Sequence, residues 1–178
     1  MNDNILLVDV FDNSAGYASK SEVHERGLLH RAFSVFIVDG NKMLLQRRGK
    51  DKYHSGGLLT NACCSHQRER EELGECVRLR LREELGVQPE TKELFSFVYY
   101  TKFENGLTEY EFDHVFLGEY SGELDPDPEE IDELVWMDVD ELAADMQQDP
   151  GKYTVWFLSA APKVLECLKI TDPAKTDQ

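Results

Sequence analysis

Between Thr60 and Val87 the chain reads T-N-A-C-C-S-H, then a charged segment closing on E-E-L-G-V. Cys63, Cys64 and His66 fall within four positions, offering two thiols and an imidazole. Adjacent cysteines by themselves read as small core residues. His66 beside them adds a second reading, as acid–base or metal-binding groups. Two distant segments carry compatible side chains: His24 and His30 in one, Glu109 and Glu111 in the other. The glutamates alternate along a strand-like run with Asp113, which places all three carboxylates on one face, neighbours about 7 Å apart at the backbone. Three neutral imidazoles with two carboxylates suit a borderline divalent ion such as Mn²⁺, Zn²⁺ or Fe²⁺ in five- or six-fold coordination. Taken singly, each histidine is more simply a surface or satisfied core residue, and sequence spacing does not join three separate segments.

A third feature is cationic. Lys42, Arg47, Arg48, Lys50 and Lys52 crowd into eleven positions with only Asp51 opposing, in a chain of net charge −16. Cations concentrated beside a reactive segment of an acidic protein predict a small bound anion, against the plainer alternative of a solvated basic turn. No Lys or Arg occurs from Phe103 to Gly151. That mean field repels duplex nucleic acid and anionic membrane, so neither is expected as a partner. No apolar run of about 18 residues is present to span a membrane. No basic region precedes the short apolar run Ile5 to Val8, so a secretory signal is not expected. Four cysteines, two of them adjacent, do not make a disulfide framework and imply a reducing, cytoplasmic setting.

The elements that must carry these groups follow from periodicity. At 178 residues the chain is expected to form one domain, 1–178, with 171–178 a frayed polar tail. Ile5 to Val10 reads as a strand turned by Asp12 to Gly16. Lys20 to Leu29 reads as a polar segment, and Ala32 to Val38 as a strand paired through Asp39-Gly40 with Lys42 to Gln46. Thr60 to His66 reads as a tight loop leading directly into a helix with Val77, Leu81 and Leu85 on one stripe and Gly86 as its stop. Leu94 to Phe103 and Thr108 to Tyr120 form a second hairpin around Asn105-Gly106, and Glu133 to Met137 a further strand. Asp138 caps a helix to about Gln148, and Thr154 opens a last helix through Ile170, which Pro162 should kink or divide. The order implies an α+β fold, a mixed β-sheet flanked by helices.

With these residues in place, the chain resembles the type I isopentenyl-diphosphate isomerases of the Nudix superfamily, over about Ile5 to Leu168. The resemblance rests on G-L-L-H-R-A-F-S-V-F at Gly27 to Phe36, T-N-A-C-C-S-H at Thr60 to His66, E-E-L-G-V at Glu83 to Val87 and E-Y-E at Glu109 to Glu111, in that order. It implies a Nudix-like fold. It also implies a 1,3 proton shift interconverting isopentenyl diphosphate and dimethylallyl diphosphate; the chain is expected to act on this small-molecule substrate as a monomer or weak dimer. Residue by residue, it places Cys64 and Glu111 on the catalytic positions and Tyr99 on the tyrosine bonded to that glutamate. His24, His30, His66, Glu109 and Glu111 fall on the ligands of an Mn²⁺ (or Zn²⁺ or Fe²⁺) ion. Glu84, with the backbone oxygen of Cys64, falls on the Mg²⁺ site. Lys20, Arg48, Lys52 and Arg80 match diphosphate-binding cations, and Trp156 the tryptophan facing the hydrocarbon. On this reading the catalytic glutamate delivers the proton and a thiolate, its pKa lowered by its loop, takes one. The chain departs from the family at Leu59, where tryptophan is common, and at Gln67, where proline is frequent.

Two other readings compete. A Nudix hydrolase carries G-x5-E-x7-R-E-U-x-E-E-x-G-U, with U apolar. Aligned on Gly86, this chain keeps Glu71, Glu83 and Glu84 but has Ser65, Leu79 and Arg80 where Gly, Arg and Glu are required. A non-catalytic, metal-stabilised binding module accounts for the His and Glu set but not for Cys64, Glu84 and the cations together.

Overall fold

The computed structural model describes residues 4–52 and 54–171. The expected tail from 172 onward lies outside the described residues. Among the described residues, nine strands and four α-helices run in chain order as β1 (Asn4–Val8), β2 (Ser14–Ser19), α1 (Lys20–Arg26), β3 (His30–Asp39), β4 (Lys42–Arg48), β5 (Leu59–Thr60), β6 (Cys63–His66), α2 (Leu73–Leu85), β7 (Thr91–Lys102), β8 (Thr108–Glu119), β9 (Ile131–Asp138), α3 (Val139–Gln148) and α4 (Val155–Thr171). The mixed sheet with flanking helices is the α+β architecture expected from the pattern. No helix of the described residues is long and apolar enough to cross a membrane.

The sheet is organised on β3, rich in β-branched and aromatic residues. Along one edge β8 pairs with it in parallel, from His30↔Glu111 to Val38↔Glu119. Along the other edge it meets three strands in turn: β1 at Leu7↔His30, β6 at Ala32↔His66 through Val35↔Cys63, and β4 at Val38↔Met43. Its alternating side chains serve two layers. Phe33, Val35 and Ile37 pack with Cys63, Val77, Leu81 and Leu85 under α2, whereas Phe36 and Val38 pack with Phe157, Ala161 and Leu165 of α4 and Leu142 of α3. On the α4 face, the first half of β3 carries His30, Ala32 and Ser34 instead. The polar and apolar halves of that face separate the site from the core.

Several elements differ from the sequence reading. Residues 14–19 form β2, and the turn lies earlier, held by Asp9 Oδ1 accepting from the backbone N–H of Phe11 and of Asn13, both at 2.9 Å. Lys20 to Arg26 is a helix, capped by Ser19 Oγ accepting from the Glu22 N–H at 3.3 Å and ended by Gly27. Ser19 with Glu22 three residues on is a capping signature, but with Val23 its one buried apolar side chain α1 shows no hydrophobic stripe. Cys63 to His66 is a strand, not a tight loop, and residues 67–72 separate it from α2. Pro162 does not divide the last helix, which runs from Val155 to Thr171. Ala160, Ala161, Val164 and Leu165 are buried around the exposed proline, and that burial offsets the one backbone hydrogen bond proline cannot make. Gly86 ends α2 with φ 72°, and Asp138 caps α3 by accepting from Asp140 and Glu141, both as expected.

Gly27 sets how closely α1 approaches β8. Its φ is 61° and ψ 47°, and a Cβ there would lie 3.2 Å from Thr108 Cγ2, next to Glu109. Gly27→Ala is therefore expected to lower stability by about 1–2 kcal/mol in urea denaturation, the cost of a left-handed alanine, and more if Thr108 fails to yield. A midpoint unchanged from the parent would show that α1 does not depend on this turn.

Candidate active site

The strand register assembles the histidine–carboxylate group. His30 on β3 lies opposite Glu111 on β8, and His66 on β6 lies opposite Ala32, one step along the same face. α1 packs across β8 and brings His24 Nε2 to 3.1 Å from Glu109 Oε2. His24 Nδ1 donates to the Lys20 carbonyl at 2.6 Å, and His30 Nδ1 donates to the Leu28 carbonyl at 2.8 Å. A carbonyl only accepts, so both protons sit on Nδ1, and in the neutral rings Nε2 presents a lone pair inward. His30 Nε2 and Glu109 Oε2 are buried without a hydrogen-bond partner. The ligand atoms of His24, His30, His66 and Glu109 all lie within 4.8 Å of one another. Glu111 adjoins them, with Oε1 at 3.0 Å from His66 Nε2 and 3.5 Å from His30 Nε2. Imidazole nitrogens and carboxylate oxygens converging this closely, with His30 Nε2 and Glu109 Oε2 unpartnered, fit a divalent cation, and the nitrogen-and-carboxylate donor set suits a borderline one.

Protonation follows from burial and neighbours. Burial drives the His66 pKa down to about 4, so it is a neutral donor at pH 7. Burial also opposes charge on His24, but Glu109 outweighs it and raises that pKa. Burial pushes Glu111 upward, yet the neighbouring His30 and His66 imidazoles outweigh it and hold the carboxyl well below the usual range. Asp113 goes the other way: burial and then the Glu111 charge push it well above that range, while Ser34 Oγ donates to its Oδ2 at 2.8 Å. The strand face with three carboxylates thus carries two anions and one acid. Tyr99, opposite Glu111 in the β7–β8 pairing, donates its hydroxyl to Glu111 Oε2 at 2.5 Å. Burial and that anion raise its pKa well above the phenol range.

The two cysteines diverge because they occupy a strand. Cys63 faces α2 and is fully buried in its core, while Cys64 faces the cavity. Cys64 does not have the lowered pKa expected of a loop thiolate. Burial raises it to about 12, with the Arg48 charge opposing and Glu84 and Glu111 adding to the rise. Burial thus favours the thiol form of Cys64, whereas the imidazoles around Glu111 favour its carboxylate form.

The cavity of about 190 Å³ takes in the expected Lys20, Arg48, Lys52, Arg80, Cys64, His66, Tyr99, Glu109, Glu111 and Trp156. That is below the roughly 300–1,000 Å³ of pockets for drug-sized ligands and suits a short ligand better than a nucleotide. His24, His30 and Glu84 are the buried residues behind these. Of the basic cluster, Arg48 and Lys52 face the cavity, whereas Arg47 pairs with Glu133 at 2.9 Å and Lys42 and Lys50 are exposed. Arg48 Nε and Arg80 Nε are buried without a partner, two donors an anion can satisfy. The Arg48 guanidinium lies 5.1 Å over the Trp156 ring. Glu84 is buried with Oε1 2.5 Å from Arg80 Nη2. Burial raises its pKa against the opposing Arg80 charge.

Three ionisable lining residues were not foreseen. Arg68 continues the alternation of Cys64 and His66, a signal hidden by reading the segment as a loop. Glu130 binds Lys52 Nζ at 2.5 Å across 78 positions, and His54 meets Glu109 at 2.7 Å across 55. No local pattern marks either of these two.

Residues 28–157 match the NUDIX domain. The chain is 48% identical over 168 residues to Isopentenyl-diphosphate Delta-isomerase 2 of Aromatoleum aromaticum, covering 94% of this chain and 89% of that protein. It is 43% identical over 160 residues to Isopentenyl-diphosphate Delta-isomerase of Serratia proteamaculans, covering 89% of each. The chain belongs to the NUDIX family and, within it, to the isopentenyl-diphosphate Delta-isomerases. The fold agrees: DR0079 from Deinococcus radiodurans superimposes with a TM-score of 0.73 at 18% identity, over 90% of this chain and 98% of that one. A MutT NUDIX hydrolase from Burkholderia pseudomallei gives a TM-score of 0.54 at 23% identity, over 63% and 84%. The fold is shared with hydrolases, but the site is not theirs, because Arg80 stands where the hydrolase signature has a glutamate and neutralises Glu84 directly.

The protonation state of Cys64 is open to measurement. With a pKa near 12, about one part in 10⁴ is thiolate at pH 8, whereas an ordinary thiol of pKa about 8.5 is already substantially ionised. Alkylation of the Cys64 peptide by iodoacetamide, followed by mass spectrometry without substrate, is expected to accelerate about tenfold per pH unit between pH 8 and pH 10. A rate that levels off by pH 9 would mean an activated thiolate.

Proposed function

We propose that the chain interconverts isopentenyl diphosphate and dimethylallyl diphosphate by a 1,3 proton shift. The observation that carries this is a thiol, Cys64, and a carboxylate, Glu111, lining one small cavity whose remaining wall supplies cations and an indole, with burial favouring the thiol form of one and neighbouring imidazoles the carboxylate form of the other. Protonating an unactivated alkene creates a tertiary carbocation, so the reaction needs an acid at the terminal carbon and a base at the carbon next to the diphosphate-bearing carbon. In the direction from isopentenyl diphosphate, Cys64 gives its proton to the terminal methylene. Glu111 removes one from the carbon on the other side of the cation, closing the new double bond. The sulfur is left as thiolate and the carboxyl protonated. In the reverse direction each group takes the other's role, so one pair serves both. Tyr99, donating to Glu111 Oε2, orients the carboxylate and spreads its charge.

The diphosphate reading rests on Lys20, Arg48, Lys52 and Arg80. Lys52 leaves Glu130 for the substrate, and Arg48, which lies over Trp156 and 3.9 Å from the Cys64 sulfur, turns its unpartnered Nε to the phosphate oxygens. The Trp156 π-face is then available to the cation, a contact of about 2 kcal/mol when desolvated. α4 carries Trp156 and shields the cation from capture by water. His24, His30, His66, Glu109 and Glu111 suit Mn²⁺, Zn²⁺ or Fe²⁺, and Glu84 with the Cys64 carbonyl suits Mg²⁺. When bound, these ions supply positive charge that stabilises the buried carboxylates and the diphosphate.

Incubation with isopentenyl diphosphate and Mg²⁺ in D₂O is expected to place deuterium in dimethylallyl diphosphate, detected by mass spectrometry. Cys64→Ala should lose nearly all of that exchange and Cys63→Ala little. Equal large losses from both would refute the assignment of the acid to Cys64.

The two glutamates are also separable. Glu109 ligates, so Glu109→Gln should lose metal and recover part of its activity when metal is supplied in excess. Glu111 also moves a proton, so Glu111→Gln should fall by the roughly 10²–10⁴-fold typical of a lost acid–base group and stay there. Metal rescue of Glu111→Gln to near the parent rate would assign the proton transfer to another group.

A further inference from the structure

His54 lies among the site's residues without a part in the chemistry above. It is 8% exposed, and it lines the cavity from the connection between β4 and β5. Its Nε2 is 2.7 Å from Glu109 Oε1. A carboxylate only accepts, so this nitrogen carries the proton, and Nδ1 accepts from Ser55 Oγ at 3.2 Å. The ring has little freedom. It stacks on Phe103 at 4.3 Å with 12° between planes and meets the Trp156 ring edge-on at 5.8 Å. Its loop is also tightly closed: a Cβ on Gly56 would fall 2.5 Å from the Lys50 carbonyl oxygen.

We propose that His54 is a positioning residue for the metal site, holding Glu109 by one oxygen so that the other stays aimed at the histidines. The inference rests on the metal-binding reading of His24, His30, His66 and Glu109. Glu109 Oε2 already points at that cluster, 3.1 Å from His24 Nε2 and 3.9 Å from His30 Nε2. A carboxylate tethered at Oε1 cannot rotate its second oxygen away. Without the tether, Oε1 is a buried anionic oxygen lacking a donor, and the side chain gains from turning elsewhere. His54 is not itself a ligand in this arrangement, because its proton occupies the nitrogen that faces the site. The same ring ties the loop bearing Lys52 to the wall formed by Trp156, so the diphosphate side and the metal side share one buried contact.

The test uses the purified, metal-loaded full chain and two substitutions. His54→Gln keeps an N–H donor of similar reach, and His54→Phe keeps the volume and the stack on Phe103 but has no donor. Metal loss to an excess of chelator is followed by elemental analysis, with urea midpoints of the metal-free proteins as a check on folding. His54→Phe is expected to lose metal about 10–100-fold faster than the parent, as when a partner of a ligating carboxylate is removed, and His54→Gln within about threefold of it. If His54→Phe holds metal as the parent does, the hydrogen bond positions nothing and the inference is overturned. If His54→Gln loses metal as fast as His54→Phe, donation to Glu109 is not what the imidazole supplies, which also overturns it. A parent protein that carries no stoichiometric metal would sink the metal reading beneath it, a result distinct from either.

Discussion

Glu109 and Glu111 are carboxylates 3% and 7% exposed, and most of the local structure answers to that burial. A buried anion without donors or a counter-charge costs several kcal/mol. The chain meets the constraint by surrounding the pair: His24 from α1, His30 from β3, His66 from β6, His54 from the loop before β5 and Tyr99 from β7. Five elements are therefore tied to two residues of one strand. The same arrangement turns the Nε2 atoms of His24, His30 and His66 inward beside Glu109, which is why it also fits a cation.

β3 and β8 make this possible by changing character along their length. Their paired starts carry His30, Glu111, Asp113 and Ser34, and their later residues Phe36, Val38 and Val115 belong to the core under α4. The apolar half anchors the strands while the polar half is kept at a fixed register, so the site's geometry is set by rigid sheet rather than by loops. β6 applies the same rule to two adjacent cysteines, one given to the core and one to the cavity.

In an acidic protein, cations concentrated around a cavity are held by its own carboxylates until an anion competes for them. Here the pairs are explicit: Lys52 with Glu130, Arg80 with Glu84. Arg48 instead lies over Trp156 with a buried donor unused. The cavity thus presents cations already desolvated and oriented, the arrangement on which the proposed diphosphate site rests.

The family was legible in the sequence, because four short motifs in order are enough when each is a local pattern. So were the periodic elements: α2 with its Gly86 stop, the β7–β8 hairpin, the Asp138 cap and the shared face of Glu109 and Glu111. What failed locally failed for identifiable reasons. α1 has almost no apolar stripe because its buried side is occupied by His24, and Cys63 to His66 looked like a loop because its alternation is one of chemistry, core thiol against site thiol, rather than hydrophobicity. Ionisation was out of reach altogether. The Cys64 thiol is raised to about 12 by burial, with Glu84, Glu111 and Asp113 from distant segments adding to the rise. His54 and Glu130 likewise acquire their roles from partners 55 and 78 positions away. Residue types and local spacing determined which chemistry this chain can do; only the tertiary structure decided where the protons sit and what holds each ligand in place, because both depend on desolvation and on contacts between segments distant in sequence.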